Sequence, residues 1–214
     1  PCVGLLSPCN GYSGWWRFDR GRGTMAVDSA TGRNHGQISG APQWVLSLEE
    51  VGLRFKPDSF VEIPHSHLFD VAAFTAEAAV LPEDFTSTDH AVFNKGGGSG
   101  AFRVEISNSD VGHLYFDADQ HVESSKPVEL NQWGILAALF DGFDQQVHLD
   151  YELDATTGAS PPGKNQDPLY IGSHGGYGYF DGIIDSVRLM LWALTPDQLL
   201  HHPLAQAWEL PYSC

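Results

Sequence analysis

One carboxylate, Asp185, stands in an otherwise apolar strand near the end of the chain. Residues 183–191 have the pattern of a strand whose odd positions are apolar apart from Asp185. Because successive side chains of a strand point to opposite faces, Asp185 is expected to share a buried face with these neighbours. A buried carboxylate requires a cation, a positively charged partner or several hydrogen-bond donors. Asp185 is therefore a candidate metal ligand.

A second set of oxygen-bearing side chains lies in a turn near the start of the chain. This turn is rich in residues that tolerate positive φ or bond their own backbone, and it contains Asp28 and Asn34. Calcium takes about six to eight oxygens from carboxylates, carbonyls and water. Asp28, Asn34 and backbone carbonyls near Arg33 offer that chemistry. The alternative is that Asp28 only shapes its turn and that Asp185 bonds to backbone amides.

A glycine-rich loop at residues 172–182 combines aromatic and polar side chains. Sugar sites on β-sandwiches pair a flat aromatic ring with a few fixed polar groups, and glycine lets a ligand approach the backbone. The candidate carbohydrate-binding residues in this loop are His174, Tyr177, Tyr179 and Asp181. A second polar cluster on another loop consists of Asp117, Asp119 and His121. The alternative is that Tyr179 packs in the core and the glycines only form turns.

Signatures of several other chemistries are absent. The sequence has no Gly-x-Ser-x-Gly and no His-Glu-x-x-His, and residues 96–100 lack the Gly-Lys-Ser/Thr ending of a phosphate-binding loop. His65 with His67, or His201 with His202, could bind zinc. The 10 histidines are scattered along the chain, however, and surface positions explain them better.

The three cysteines, Cys2, Cys9 and Cys214, all lie at the chain ends. No CxxC pair is present, so a zinc ribbon or a thioredoxin-type site is not expected. Terminal cysteines favour a disulfide staple in an oxidising compartment. We expect a Cys9–Cys214 disulfide that leaves Cys2 for a bond to another chain. The alternative is Cys2–Cys9 with Cys214 free.

The elements that would position these residues are mostly short strands. About a dozen stretches with β periodicity alternate with turn signals, which is typical of a sandwich or jelly roll. Residues 133–140 favour a central strand covered on both faces, and the strict alternation of residues 147–153 predicts one further strand. One helix is expected after Thr195, where Pro196 and Gln198 complete its capping signals. We expect residues 1–214 to form a single domain.

The net charge of −16 restricts the partners. It argues against nucleic acid, whose binders carry basic stripes, and against docking on anionic lipid. No apolar run reaches the roughly 18 residues of a membrane span. The acidity suits a secreted protein and also one that gathers divalent cations; the alternative, which acidity alone favours, is that the charge only keeps the protein in solution. A first residue of Pro1 suits a mature form whose leader has been removed.

Four segments together resemble the laminin-G-like, concanavalin-A-like jelly-roll superfamily, in its pentraxin-like branch. The resemblance spans roughly residues 12–200. The matching segments are residues 16–19 with the turn at 28–36, residues 60–64 with 74–77, residues 132–133 with 140–142, and residues 169–172 with 179–188.

The resemblance implies an all-β, concanavalin-A-like antiparallel β-sandwich with one short helix near the C-terminus. In this family the first and last strands lie side by side, so the resemblance implies that Asp28, Asn34 and Asp185 form one structural calcium site. Glycosidases of the superfamily carry a Glu-x-Asp-x-x-Glu strand, because paired carboxylates must flank the sugar bond. This chain has no such strand.

These observations favour a secreted, non-enzymatic carbohydrate-binding protein, a lectin. We expect glycan partners and a homo-oligomer, because single sugar sites are weak and linking them raises avidity. Two alternatives stay open. One is an adhesion or structural module that recognises a protein partner, and the other is a glycoside hydrolase with an unfamiliar carboxylate pair.

Overall fold

A computed structural model describes residues 11–30, 33–48, 50–86, 89–96, 101–107, 113–117 and 120–201. Within these residues the chain forms two antiparallel sheets of eight strands each. No helix in the described part of the chain has the length and apolarity that a bilayer crossing requires.

The first sheet has the order β14-β13-β12-β7-β16-β5-β4, and β1 also pairs with β16. Its strands are β1 (Tyr12–Trp16), β4 (Gln43–Ser47), β5 (Glu50–Phe55), β7 (Phe74–Pro82), β12 (Gly134–Phe140), β13 (Asp144–Leu149), β14 (Glu152–Gly158) and β16 (Gly182–Met190).

The second sheet has the order β11-β10-β9-β8-β15-β6-β3-β2. Its strands are β2 (Met25–Ala26), β3 (Gly36–Ser39), β6 (Phe60–Ile63), β8 (Asp89–Lys95), β9 (Phe102–Ser107), β10 (His113–Asp117), β11 (His121–Pro127) and β15 (Leu169–Ile171).

Aromatic side chains from both sheets fill the core between them. The ring of Phe74 on β7 lies 4.6 Å from that of Phe102 on β9, and Phe93 on β8 lies 5.7 Å from Phe102. All three are buried, and burial of such rings is the main favourable term in folding. The all-β, concanavalin-A-like sandwich predicted from the sequence is confirmed.

The short helix α1 (Pro196–Leu200) follows the last strand, as predicted. The Thr195 side chain accepts from the Gln198 backbone, and the Gln198 side chain accepts from the Thr195 backbone N–H, which completes the capping box. Leu199 is buried, whereas Leu200 is 55% exposed. One side of the helix therefore packs on the sandwich.

Two sequence predictions about the strands are wrong. Residues 147–153 form no single strand, because Asp150 and Tyr151 both have positive φ and make the turn between β13 and β14. Within β16 the register shifts between Asp185 and Arg188, where Ser186 has a φ of 53°. This bulge breaks the alternation of side chains.

The bulge changes the face on which Asp185 lies. Val187 belongs to the core between the sheets together with Ile184. Asp185 pairs across the ladder with Ala79, which lies outside that core cluster. Asp185 is thus buried on the outer face of the first sheet, and the prediction that it shares a face with Val187 is corrected.

Candidate functional site

The loop of residues 172–181, which we call the Tyr177 loop, joins β15 in the second sheet to β16 in the first. Its backbone is bonded to strands of both sheets. The Ala91 N–H on β8 donates to the Gly178 carbonyl at 3.0 Å, and the Glu83 N–H beside β7 donates to the Asp181 carbonyl at 2.9 Å. The loop is therefore fixed to both layers of the sandwich.

His174 supports the loop from below. The imidazole is only 1% exposed. Its Nε2 lies 2.7 Å from Glu105 Oε2 on β9, and its Nδ1 lies 2.7 Å from the amide nitrogen of Asn94 on β8. With the Asn94 amide N–H donating to Nδ1, the ring N–H lies on Nε2, which faces the Glu105 carboxylate. His174 thus anchors the loop to the second sheet and is too buried to offer a surface to a ligand.

Tyr177 is the exposed side chain above this anchor. Its ring centroid lies 5.1 Å from that of His174, and 46% of the residue is exposed. The backbone N–H of His174 also donates to the backbone carbonyl of Tyr177 at 2.8 Å. The following residue must be glycine, since Gly178 has a φ of 57° and a Cβ there would lie 2.2 Å from the His174 ring.

A second aromatic pair continues from the loop along the second sheet. Tyr170 and Phe60 pack edge to face at 6.0 Å, and both are half-buried. Gly175 lies close to the Tyr170 ring: a Cβ added at Gly175 would lie 2.9 Å from a ring carbon. Burial raises the pKa of the Tyr170 hydroxyl, and the negative charges of Glu62 and Asp167 raise it further.

Asp181, another predicted sugar-binding residue, has partners outside this group. The Asp181 carboxylate accepts from the Lys56 ammonium at 2.6 Å, and Lys56 also bonds Glu83 at 3.0 Å. Asp181 therefore belongs to an ion-pair network where the loop enters β16. Tyr179 is half-buried. The structure brings together His174 and Tyr177, and it gives Asp181 a different set of partners.

The predicted calcium ligand Asp28 is fully occupied by backbone donors. One carboxylate oxygen accepts from the N–H groups of Trp15 at 3.1 Å and Ala30 at 2.9 Å. The other oxygen accepts from Arg33 at 3.4 Å and Asn34 at 3.2 Å. Asp28 is 2% exposed, and four donors compensate the burial of its charge without an ion.

Asn34 and Asp185 also have partners of their own. The Asn34 side-chain N–H donates to the Ser13 carbonyl at 2.7 Å, while Asp185 accepts from the Ser47 hydroxyl at 2.5 Å. The first and last strands, β1 and β16, do lie side by side. Asp28 nevertheless contacts β1 and its own turn, whereas Asp185 contacts β4.

Asp28, Asn34 and Asp185 thus each bond other groups of the protein. Across the described ranges, no group of three or more His, Cys, Asp or Glu residues is arranged to hold a metal ion. The calcium site stays a prediction, and each of its carboxylates has another role.

Several further predicted residues fall beyond what the structure describes. Cys2, Cys9, Cys214 and Asp119 lie outside the described residues, and of Asp117 only the backbone, within β10, is described. His121 is exposed at the start of β11, an edge strand of the second sheet. The disulfide prediction and the second polar cluster stay untested.

The support of the loop was missed by sequence reasoning. Asn94 and Glu105 lie about 70–80 positions before His174 in the chain, so no local spacing links them to it. One signal was present on β9, where Phe102, Val104 and Ile106 alternate with polar residues. That alternation places Glu105 on the outer face of the second sheet, but it does not say what covers that face.

Solved structures with similar folds include proteins of several kinds. Domain 4 of AbnA, a GH43 extracellular arabinanase from Geobacillus stearothermophilus solved in complex with arabinotriose, is 17% identical with a TM-score of 0.71, over 89% of this chain and 97% of that one. The receptor binding domain of botulinum neurotoxin type G is 9% identical with a TM-score of 0.70, over 92% of this chain and 51% of that one.

A third similar structure is a sialidase from Trypanosoma rangeli, which is 12% identical with a TM-score of 0.67, over 92% of this chain and 33% of that one. The chain thus spans about half the length of the toxin domain and about a third of the sialidase. At these identities the similarity establishes a shared fold. No curated protein matched the sequence.

A family model also matches the sequence, over residues 55–200, which is more than half of the chain. The match includes β6 to β16 and the Tyr177 loop, together with Asn94 and Glu105 beneath it. The description of this family covers both lectins and glucanases, so membership alone does not separate a binding protein from an enzyme. The chain belongs to the concanavalin A-like lectin/glucanases superfamily.

Proposed function

We propose that this protein binds carbohydrate without catalysis, with the Tyr177 ring as its principal contact surface. The observation that carries the proposal is an exposed aromatic ring held against a buried histidine, which is fixed in turn by Glu105 and Asn94. Membership of a family that includes lectins supports this function.

The arrangement suits the chemistry of a sugar. A pyranose or furanose ring offers an apolar C–H face to an aromatic ring and hydroxyl groups to polar atoms at its edge. The Tyr177 ring already packs against the His174 ring, and a side chain that is restricted before binding loses less entropy on binding. Open backbone is available beside it at Gly176, where a Cβ would meet no atom within 4 Å.

The proposal of a non-enzymatic role rests on the carboxylates near the loop. Hydrolysis of a glycosidic bond requires two carboxyl groups that face the scissile bond. Glu105 is 4% exposed and is directed at His174, while Asp181 is held by Lys56. Neither is presented to a ligand on Tyr177. We expect incubation with oligosaccharides to yield no shorter products, and accumulation of such products would favour a glycoside hydrolase.

A glycan array tests the binding proposal directly. We expect the native protein to bind a defined subset of glycans and Tyr177→Ala to bind them at least about tenfold more weakly, because the stacking surface is removed. The matched control is Phe143→Ala, which removes an aromatic ring that is 79% exposed in the turn before β13. This control should bind like the native protein.

Two results would count against this site. Equal binding by Tyr177→Ala and the native protein would move the carbohydrate site elsewhere on the sandwich. An array with no bound glycan, together with binding to a protein ligand, would favour an adhesion module.

We also propose that the protein acts outside the cell as an oligomer, because linked weak sites raise avidity. Size-exclusion chromatography with light scattering should give a mass above the 23.4 kDa of one chain. Comparison of reducing and non-reducing gels would show whether Cys2 links two chains.

A further inference from the structure

The connection between β1 and β2 concentrates positive charge on an acidic protein. Arg17, Arg20 and Arg22 lie within six residues, although the whole chain has only 11 Lys and Arg residues and a net charge of −16. Arg20 and Arg22 are exposed. Such a cluster makes the local potential more positive than the net charge of the molecule suggests.

This connection is anchored on both sides of the two arginines. Phe18 is 3% exposed and belongs to the core between the sheets. The Trp44 indole N–H donates to the Gly23 carbonyl at 3.2 Å, and the Ile38 N–H donates to the Thr24 carbonyl at 2.8 Å. Because the backbone is held in place, the arginines extend from a defined support.

The guanidinium groups of Arg20 and Arg22 are available to a ligand. Arg17 has a neighbour, Asp19, at 3.6 Å. Within the described part of the chain, neither Arg20 nor Arg22 makes an ion pair or a hydrogen bond. Both line a cleft of about 400 Å³ together with Gly23. The cleft therefore carries two cations that nothing in the described structure neutralises.

We propose that this cleft binds the sulfate or carboxylate group of an acidic saccharide. A guanidinium is planar and binds such oxyanions through two parallel N–H···O bonds. The saccharide class rests on the proposed function, whereas the anionic group follows from the two arginines. Nucleic acid is disfavoured because it requires a longer basic stripe than two arginines on an acidic molecule.

The test compares three immobilised polymers at physiological salt: dextran sulfate, polygalacturonate and neutral dextran. We expect the native protein to bind one or both anionic polymers. Comparison of dextran sulfate with polygalacturonate shows whether the cleft prefers a sulfate or a carboxylate group. The double variant Arg20→Gln/Arg22→Gln should bind that polymer at least about tenfold more weakly, since two charge-assisted contacts are lost. Binding of the native protein should also fall as salt rises.

Lys164→Gln is the matched control for charge, because Lys164 is exposed and lies in a different connection, between β14 and β15. It should bind the anionic polymer like the native protein. The double variant should keep the native melting temperature, since both arginines are at the surface.

Tyr177→Ala should keep polymer binding, and the double variant should keep its binding to neutral glycans on the array. These two variants separate a failure of this proposal from a failure of the proposed function.

Three outcomes would overturn the proposal. The first is that the native protein binds neither anionic polymer, and the second is that the double variant binds the polymer as tightly as the native protein. The third is that the native protein binds single-stranded DNA as tightly as the polymer and that the double variant loses both. The last result would identify a general polyanion patch in place of a saccharide site.

Discussion

The Asp28 carboxylate accepts hydrogen bonds from four backbone N–H groups. These N–H groups belong to β1 and to both sides of the turn that contains Asp28. The Asp28 N–H in turn donates to His35 Nδ1 at 3.1 Å. A carboxylate that satisfies several buried donors is a structural centre, because each donor would otherwise be buried without a partner.

Replacing this carboxylate should destabilise the fold. We expect Asp28→Ala to lower the free energy of unfolding by about 3 kcal/mol, since several backbone N–H groups lose their acceptor. Asp19→Ala is the control, because that aspartate is exposed and its ion pair contributes about 0–1 kcal/mol. Chemical denaturation followed by tryptophan fluorescence measures both. Equal stability of the two variants would mean that water or other groups replace the carboxylate.

Metal removal tests the calcium prediction separately. We expect the melting temperature to be unchanged in excess EDTA, because backbone donors occupy Asp28 and Ser47 donates to Asp185. A melting temperature that falls in EDTA and recovers with added calcium would contradict this expectation and support the calcium site.

At the level of elements, the Tyr177 loop depends on glycines for its contact with His174. Gly178 and Gly176 both have positive φ, at 57° and 119°, but only a Cβ at Gly178 would meet the imidazole. The two positions therefore separate the cost of backbone strain from the cost of displacing His174.

We expect Gly178→Ala to weaken glycan binding by about tenfold or more, because the histidine that supports Tyr177 must move. Gly176→Ala should cost only backbone strain, about 1–3 kcal/mol of stability, and should keep the affinity within about threefold. Isothermal titration with the best array glycan, alongside thermal melts, measures both effects. If the two variants bind equally well, His174 has no part in positioning Tyr177.

The strands and the helix were largely predictable, whereas local irregularities and long-range contacts were not. The apolar run at residues 133–140 located β12, and the capping residues located α1. The turn at Asp150 and Tyr151 lacks the glycine that usually marks positive φ, so its alternation favoured a strand. The bulge at Ser186 has no sequence signal of its own, and it moved Asp185 to the other face.

The residues of the candidate site were predictable only where their signal is local in the sequence. Glycines and aromatics identified the loop that carries Tyr177, because these residue types act locally. The contacts of His174 with Asn94 and Glu105 depend on how two distant strands align, and the pairing of Asp181 with Lys56 depends on how β5 meets the loop. Such contacts follow from the fold and not from spacing along the chain.

For the whole molecule, the shared aromatic core favours a single cooperative unit. Phe74, Phe93 and Phe102 connect the two sheets, so neither sheet keeps a core without the other. We expect far-UV circular dichroism and tryptophan fluorescence to report one coincident unfolding transition. Phe74→Ala should shift that transition as a whole and cost about 3–5 kcal/mol. Two separated transitions would contradict the prediction of a single domain.

The Tyr177 loop begins on one sheet and ends on the other, so separation of the layers would pull its two ends apart. A sugar seated on the loop would therefore resist global unfolding as well as local opening. By mass action, a ligand at about 100 times its dissociation constant would add about 2.7 kcal/mol to the stability of the native state. A thermal-shift screen of unlabelled sugars could thus find the ligand from heat resistance alone.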